Sequence, residues 1–79
     1  MKVTVQYFAL LREQRGCAEE TLETGEVTAS ELYRNLAVAH GLSMTPESMK
    51  VVVNEEFSTW DCAISDGDVV VFIPPVAGG

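Results

Sequence analysis

The residues with the plainest chemical potential are the last two. Gly78 and Gly79 follow Pro74-Pro75-Val76-Ala77, so the chain closes on a segment without a hydrogen-bonding side chain and, at its final two positions, without a Cβ. Such a segment can thread a narrow channel and present a single group, the α-carboxylate of Gly79. A carboxylate is a poor electrophile and exchanges its oxygen only after gaining a better leaving group. Pro74 and Pro75 fix φ and lower the entropy lost when the tail becomes ordered in a partner, while Val76 and Ala77 offer small apolar contacts. Average glycine usage of about 7% makes a terminal pair a chance event at about 0.5%. The pair is therefore read as a working end rather than a frayed one. No nucleophile paired with a base and no phosphate-binding loop stands elsewhere in the sequence, so the catalysis is expected to come from partners.

The tail is led out by a strand. Val69-Val70-Val71-Phe72-Ile73 is an unbroken apolar, mostly β-branched run, expected as a strand buried on both sides until Pro74 stops it. Val69, Val71 and Ile73 share one face, and Val70, Phe72 and Pro74 the other. One helix can cover only one face, leaving the other apolar and exposed, which usually marks a binding surface. Phe72, Pro74 and Phe8 are expected to touch a partner.

The remaining elements must hold that strand. Val3, Val5 and Tyr7 alternate with Lys2, Thr4 and Gln6, which predicts a first strand over Lys2–Phe8. Ala9–Gln14 are good helix formers closed by Gly16, which predicts one short helical turn. Ala18–Thr24, with Glu19, Glu20 and Glu23, fits a charged edge strand. Thr28-Ala29-Ser30-Glu31 reads as a capping box. From there Ala29, Leu32, Tyr33, Leu36, Ala37 and His40 fall on one stripe, predicting a helix over Ala29–His40 ended by Gly41. Leu42–Met49 reads as loop, Lys50–Val53 as a strand, Asn54–Glu56 as a turn and Phe57 as resumed extended chain. Trp60 is expected in the core or at its rim. Asp66-Gly67-Asp68 is a turn into the last strand; its two aspartates are too few for a calcium loop.

Composition narrows the function. Twelve Asp and Glu against five Lys and Arg give a formal charge of −7 over 79 residues. A nucleic-acid binder needs phosphate-neutralising cations, and an anionic membrane would repel this chain. A basic protein surface is a natural partner; the charge also serves simple solubility. Cys17, Cys62 and His40 make a poor metal set, and the two cysteines are read as free thiols of an intracellular, cytoplasmic protein. No apolar run reaches the length of a membrane span, and the strand pattern starting at Lys2 argues against a signal peptide.

The run Asp66–Gly79, ending Pro74-Pro75-Val76-Ala77-Gly78-Gly79, resembles the C-terminus of the molybdopterin synthase small-subunit family. Tyr7-Phe8-Ala9-Leu10-Leu11-Arg12-Glu13 and Val53-Asn54 are similar to it too. The resemblance implies an α+β, ubiquitin-like β-grasp fold: a small mixed sheet with one main helix on one face, the first and last strands central and parallel. It implies one sulfur-carrier domain over residues 1–79, with 74–79 as extended tail. It implies that Gly79 is adenylated with ATP by a ubiquitin-activating-like adenylyltransferase, becomes a thiocarboxylate, and donates sulfur to a pterin precursor inside the large subunit of a hetero-oligomeric synthase. No cofactor would be bound permanently, and the chain would have no catalytic site of its own. Other readings remain open: sulfur carriage toward thiamine or tRNA, a protein modifier conjugated through Gly79, or an interaction domain with an inert tail.

Overall fold

Residues 1–75 are described in the structure, a computed structural model. The expectations placed on Val76, Ala77, Gly78 and Gly79 lie outside the described residues.

The alternating N-terminal segment forms β1 (Lys2–Tyr7), with Val3, Val5 and Tyr7 buried and Lys2, Thr4 and Gln6 on the other face. The helix-forming run after it becomes α1 (Ala9–Arg15), a helix of seven residues rather than one short turn. Two features extend it: Leu11 is fully buried, and Gly16 closes the last turn at φ 86, a conformation that glycine adopts without steric penalty. The acidic segment forms β2 (Glu19–Glu23) at the edge of the sheet. The capping box is built as the sequence implies. Glu31 N–H donates to Thr28 Oγ1 at 3.2 Å and Thr28 N–H donates to Glu31 Oε1 at 2.9 Å. It starts α2 (Ala29–His40), which Gly41 ends at φ 68. The segment after α2 is loop apart from a 3₁₀ turn at Pro46–Ser48. Then come β3 (Lys50–Val53), β4 (Glu56–Ser58) and β5 (Val69–Ile73).

The five strands lie in the order β2-β1-β5-β3-β4. β1 and β5 run parallel; the other pairs are antiparallel. β5 is therefore central, paired on both sides, as its unbroken apolar run demands. Asn54 and Glu55 join β3 to β4 with φ of 52 and 71. Positive φ at both central residues suits a two-residue hairpin turn, and Asn is a favoured residue there. Asn54 also reaches β5: its Nδ2 donates to Asp68 Oδ1 at 2.8 Å and its Oδ1 accepts from Val69 N–H at 2.9 Å. Asp66 accepts from Lys2 N–H at 2.7 Å, so the Asp-Gly-Asp turn is tied to the start of β1.

α2 covers one face of the sheet. Ala29, Leu32, Tyr33 and Leu36 meet Val3, Val5, Tyr7, Val51, Val70 and Phe72 in one buried cluster. Phe72 is at its aromatic centre. Its ring stacks on Trp60 at 5.8 Å and 11° and meets Tyr33 edge-on at 5.0 Å and 77°. Trp60 thus lies at the core rim, packed but half-buried.

This corrects the expectation for Phe72. It is 0% exposed and faces α2, so no partner reaches it. The sheet register explains why. Tyr7 pairs with Phe72 and Val51 with Phe72 across neighbouring strands, and residues directly opposite share a face. The face of β5 that turns away from the helix is therefore Val69, Val71 and Ile73, all half-buried.

Candidate functional site

The outward face of the sheet has two halves of different chemistry. On β1 and β2 it is polar and internally bonded. Gln6 Nε2 donates to Glu19 Oε1 at 2.9 Å, and the Thr4 and Thr21 hydroxyls lie 3.4 Å apart. On β5, β3 and β4 it is apolar. Val71 pairs with Val52, and Val52 with Phe57, so these three form a row across the strands. Phe57 is 74% exposed and Phe8 49%. Gln6, Phe8, Val52, Asn54, Glu55, Val69, Val71 and Ile73 line one shallow cleft on this face.

Ile73 belongs to that cleft and also to a second one. Glu47, Ser48, Met49, Lys50, Phe57, Pro74 and Pro75 join it there, around the place where the chain leaves the sheet. The apolar half-face and the root of the tail are thus one continuous surface. Pro74 is half-buried and Pro75 exposed, so the segment departs from the edge of this surface rather than from the core. Lys50 is exposed at the root, beside the acidic Glu47.

Of the residues expected to touch a partner, Phe8 and Pro74 stand on this surface and Phe72 does not. Val52, Phe57, Val71 and Ile73 were not singled out from sequence, although they carry most of its apolar character. The signal for them is the parity of β1: once Tyr7 is inward and β5 pairs with it in register, every odd position of β5 must point outward.

Behind the surface, α1 is fixed by polar contacts. Arg15 Nε and one terminal guanidinium nitrogen donate to the two carboxylate oxygens of Glu20 at 2.8 and 2.7 Å. The Tyr7 hydroxyl donates to Glu20 Oε2 at 2.6 Å. Arg15 first, and Tyr7 after it, hold the Glu20 carboxyl below its ordinary range, with partial burial opposing. Burial, helped by the bond to Glu20, pushes the Tyr7 phenol well above its ordinary value, so it stays a donor. Gln14 and Ser43 exchange two bonds, at 2.8 and 3.1 Å. Cys17 and Cys62 are unpaired and half-buried. Among the described residues, no three His, Cys, Asp or Glu side chains are grouped to hold a metal ion, and no helix is long and apolar enough to cross a membrane.

What this geometry offers is recognition: an apolar docking face that ends at a stiff exit for the tail. Known proteins resemble the chain in sequence and fold over nearly all of its length. The profile of the ThiS family matches residues 5–79. A molybdopterin synthase sulfur carrier subunit of Chlamydomonas reinhardtii is 35% identical over 83 residues, covering 100% of both chains. Among solved structures, a Pyrococcus furiosus protein assigned as molybdopterin converting factor subunit 1 is 31% identical with a TM-score of 0.82, covering 96% of this chain and 99% of that one. The complex of subunits 1 and 2 of the Helicobacter pylori molybdopterin-converting factor includes a chain with the same fold, at 24% identity and a TM-score of 0.68, with 100% of both chains covered. The fold is the ubiquitin-like β-grasp, an α+β arrangement of one mixed sheet and two helices.

Proposed function

Because the chain belongs to the ThiS family, we propose that it is the sulfur carrier of molybdopterin synthesis: the small, non-catalytic subunit of the synthase. The Gly79 carboxylate is its working group. An adenylyltransferase joins it to AMP from ATP, releasing pyrophosphate. A hydrosulfide equivalent then displaces AMP, so the carbonyl carbon loses one oxygen to the nucleotide and gains one sulfur. The resulting thiocarboxylate is a stronger nucleophile than the carboxylate and delivers its sulfur to a pterin precursor in the large subunit.

In this reading the chain is one domain whose residues 74–79 are an extended tail, and it works in the cytoplasm, where unpaired thiols such as Cys17 and Cys62 persist. The observation that carries the reading is the continuity of the apolar half-face with the tail root at Ile73 and Pro74. Docking of Phe8, Val52, Phe57, Val71 and Ile73 would bury the face and aim Val76, Ala77, Gly78 and Gly79 into the partner. The likeness to a full-length sulfur carrier subunit supplies the chemistry. The net charge of −7 favours partners with basic rims.

Deletion of Gly79 tests it. Sulfur transfer, assayed with the adenylyltransferase, a sulfur donor and the large subunit, is expected to vanish while the thermal midpoint stays that of the parent. Transfer that survives a one-residue extension past Gly79, with the extension still attached, contradicts it.

A further inference from the structure

The outward cleft carries one charged residue, Glu55, at the end remote from the tail. The β3–β4 turn is tied to Val69: Asn54 N–H donates to Val69 O, and Asn54 Oδ1 accepts from Val69 N–H, both at 2.9 Å. The length of β5, about 13 Å, separates that turn from the tail root at Ile73. Of the polar residues lining the cleft, Gln6 is bonded to Glu19, and Asn54 to Asp68 and Val69. Glu55 is exposed, and among the described residues its carboxylate has no hydrogen-bond or ion-pair partner.

Glu55 also stands on a backbone that does not suit it. Its φ of 71 lies in the left-handed region, which disfavours an L-side chain. The turn does not need this residue. Asn54 makes the side-chain bonds to the strand junction, and glycine would meet the φ without steric penalty. Backbone strain of this kind gathers where a residue contacts a ligand or partner. Charge then says what the contact is. A second apolar surface closing over the cleft would strip water from this carboxylate, a cost that only a cation or a donor can offset.

We propose that Glu55 is a specificity-determining residue of the docking surface: its carboxylate pairs with an arginine or lysine of the large subunit where that subunit closes over the remote end of the cleft. The inference rests on the docking reading above and names the chemistry of one contact within it. A pair at the rim stays partly solvated, so its share of the affinity is modest and falls with salt.

The test measures binding to the molybdopterin synthase large subunit by calorimetry for full-length parent, Glu55→Gln, Glu55→Gly, Glu56→Gln and Phe57→Ala chains. Each is titrated at about 50 and about 500 mM salt, with thermal unfolding in parallel. Glu55→Gln keeps the side-chain length and removes only the charge. Glu56→Gln removes the same charge from the next position, which alternates to the face opposite Phe57, so it reports the general field of the chain. Glu55→Gln is expected to weaken binding about two- to fivefold at the lower salt and less than about 1.5-fold at the higher. Glu55→Gly is expected to weaken binding equally while raising the thermal midpoint, so lost stability cannot account for the effect. Glu56→Gln is expected to stay within about 1.5-fold of the parent at both salts. Parent-like binding by Glu55→Gln at the lower salt overturns the inference. So does a loss that persists undiminished at the higher salt, or an equal loss in Glu56→Gln. If Glu55→Gly lowers the midpoint, Glu55→Gln decides by the same outcomes. Unchanged affinity in Phe57→Ala overturns the docking reading itself; a loss there with none in Glu55→Gln overturns this inference alone.

Discussion

Phe72 and Phe57, in strands that flank β3, show how two aromatic residues of one sheet divide the work. Phe72 is wholly buried between Trp60 and Tyr33, whereas Phe57 is 74% exposed on the opposite face. Phe72→Ala is expected to lower stability by about 3–5 kcal/mol in urea titration, the usual cost of emptying an aromatic core site. Phe57→Ala is expected to stay within about 0.5 kcal/mol of the parent, as surface substitutions do, and to lose affinity for the large subunit instead. The difference was not legible in the sequence. Residues 69–73 are apolar at every position, so they carry no parity, and only the pairing of Tyr7 with Phe72 says which face looks inward. Glu20 gives a pH test. Its carboxyl titrates below its ordinary range because of Arg15 and Tyr7, so its folded value lies under its unfolded one. Its stabilisation is then complete above the unfolded value of about 4.3 and fades as pH falls through the folded value. Glu20→Gln is expected to reduce the thermal midpoint near neutrality and to flatten its decline in acid. A parallel decline in both proteins would contradict the sign.

At the scale of elements, what local chemistry specifies was readable. α2 spans the expected Ala29–His40 because both ends are coded nearby, by the Thr28–Glu31 box and by Gly41. Thr28→Ala is expected to cost about 1 kcal/mol, measured by denaturant titration. α1 was underread because its supports are distant in sequence: Ser43 for Gln14, and the core for Leu11. The β3–β4 turn places Glu55 at φ 71, where glycine is better suited. Glu55→Gly is expected to stabilise the hairpin by about 0.5–1 kcal/mol, the left-handed penalty less the entropy of glycine. A drop in thermal midpoint would contradict that balance.

For the molecule as a whole, the sheet order puts the strand that leads to the tail at the centre, gripped on both sides. The tail root is therefore the most firmly anchored place from which a chain end could leave. The fold class was legible because alternation in β1, the capped amphipathic helix and the apolar run of β5 all require one helix over one mixed sheet. The docking surface was only half legible, since a face is a property of register rather than of any one segment. With a formal charge of −7, association with a basic-rimmed partner is expected to slow as salt is raised from about 50 to about 300 mM, while a charge serving only solubility leaves the rate unchanged. The central claim concerns the final carboxylate, and intact-mass measurement reaches it most directly. Protein purified from cells making the cofactor, with and without the activating enzyme, is compared after digestion that isolates the C-terminal peptide. The account expects a fraction of that peptide to be heavier by the difference between sulfur and oxygen, only when the activating enzyme is present. A C-terminal peptide of unmodified mass in both samples, from cells whose cofactor synthesis is running on this carrier alone, would contradict it.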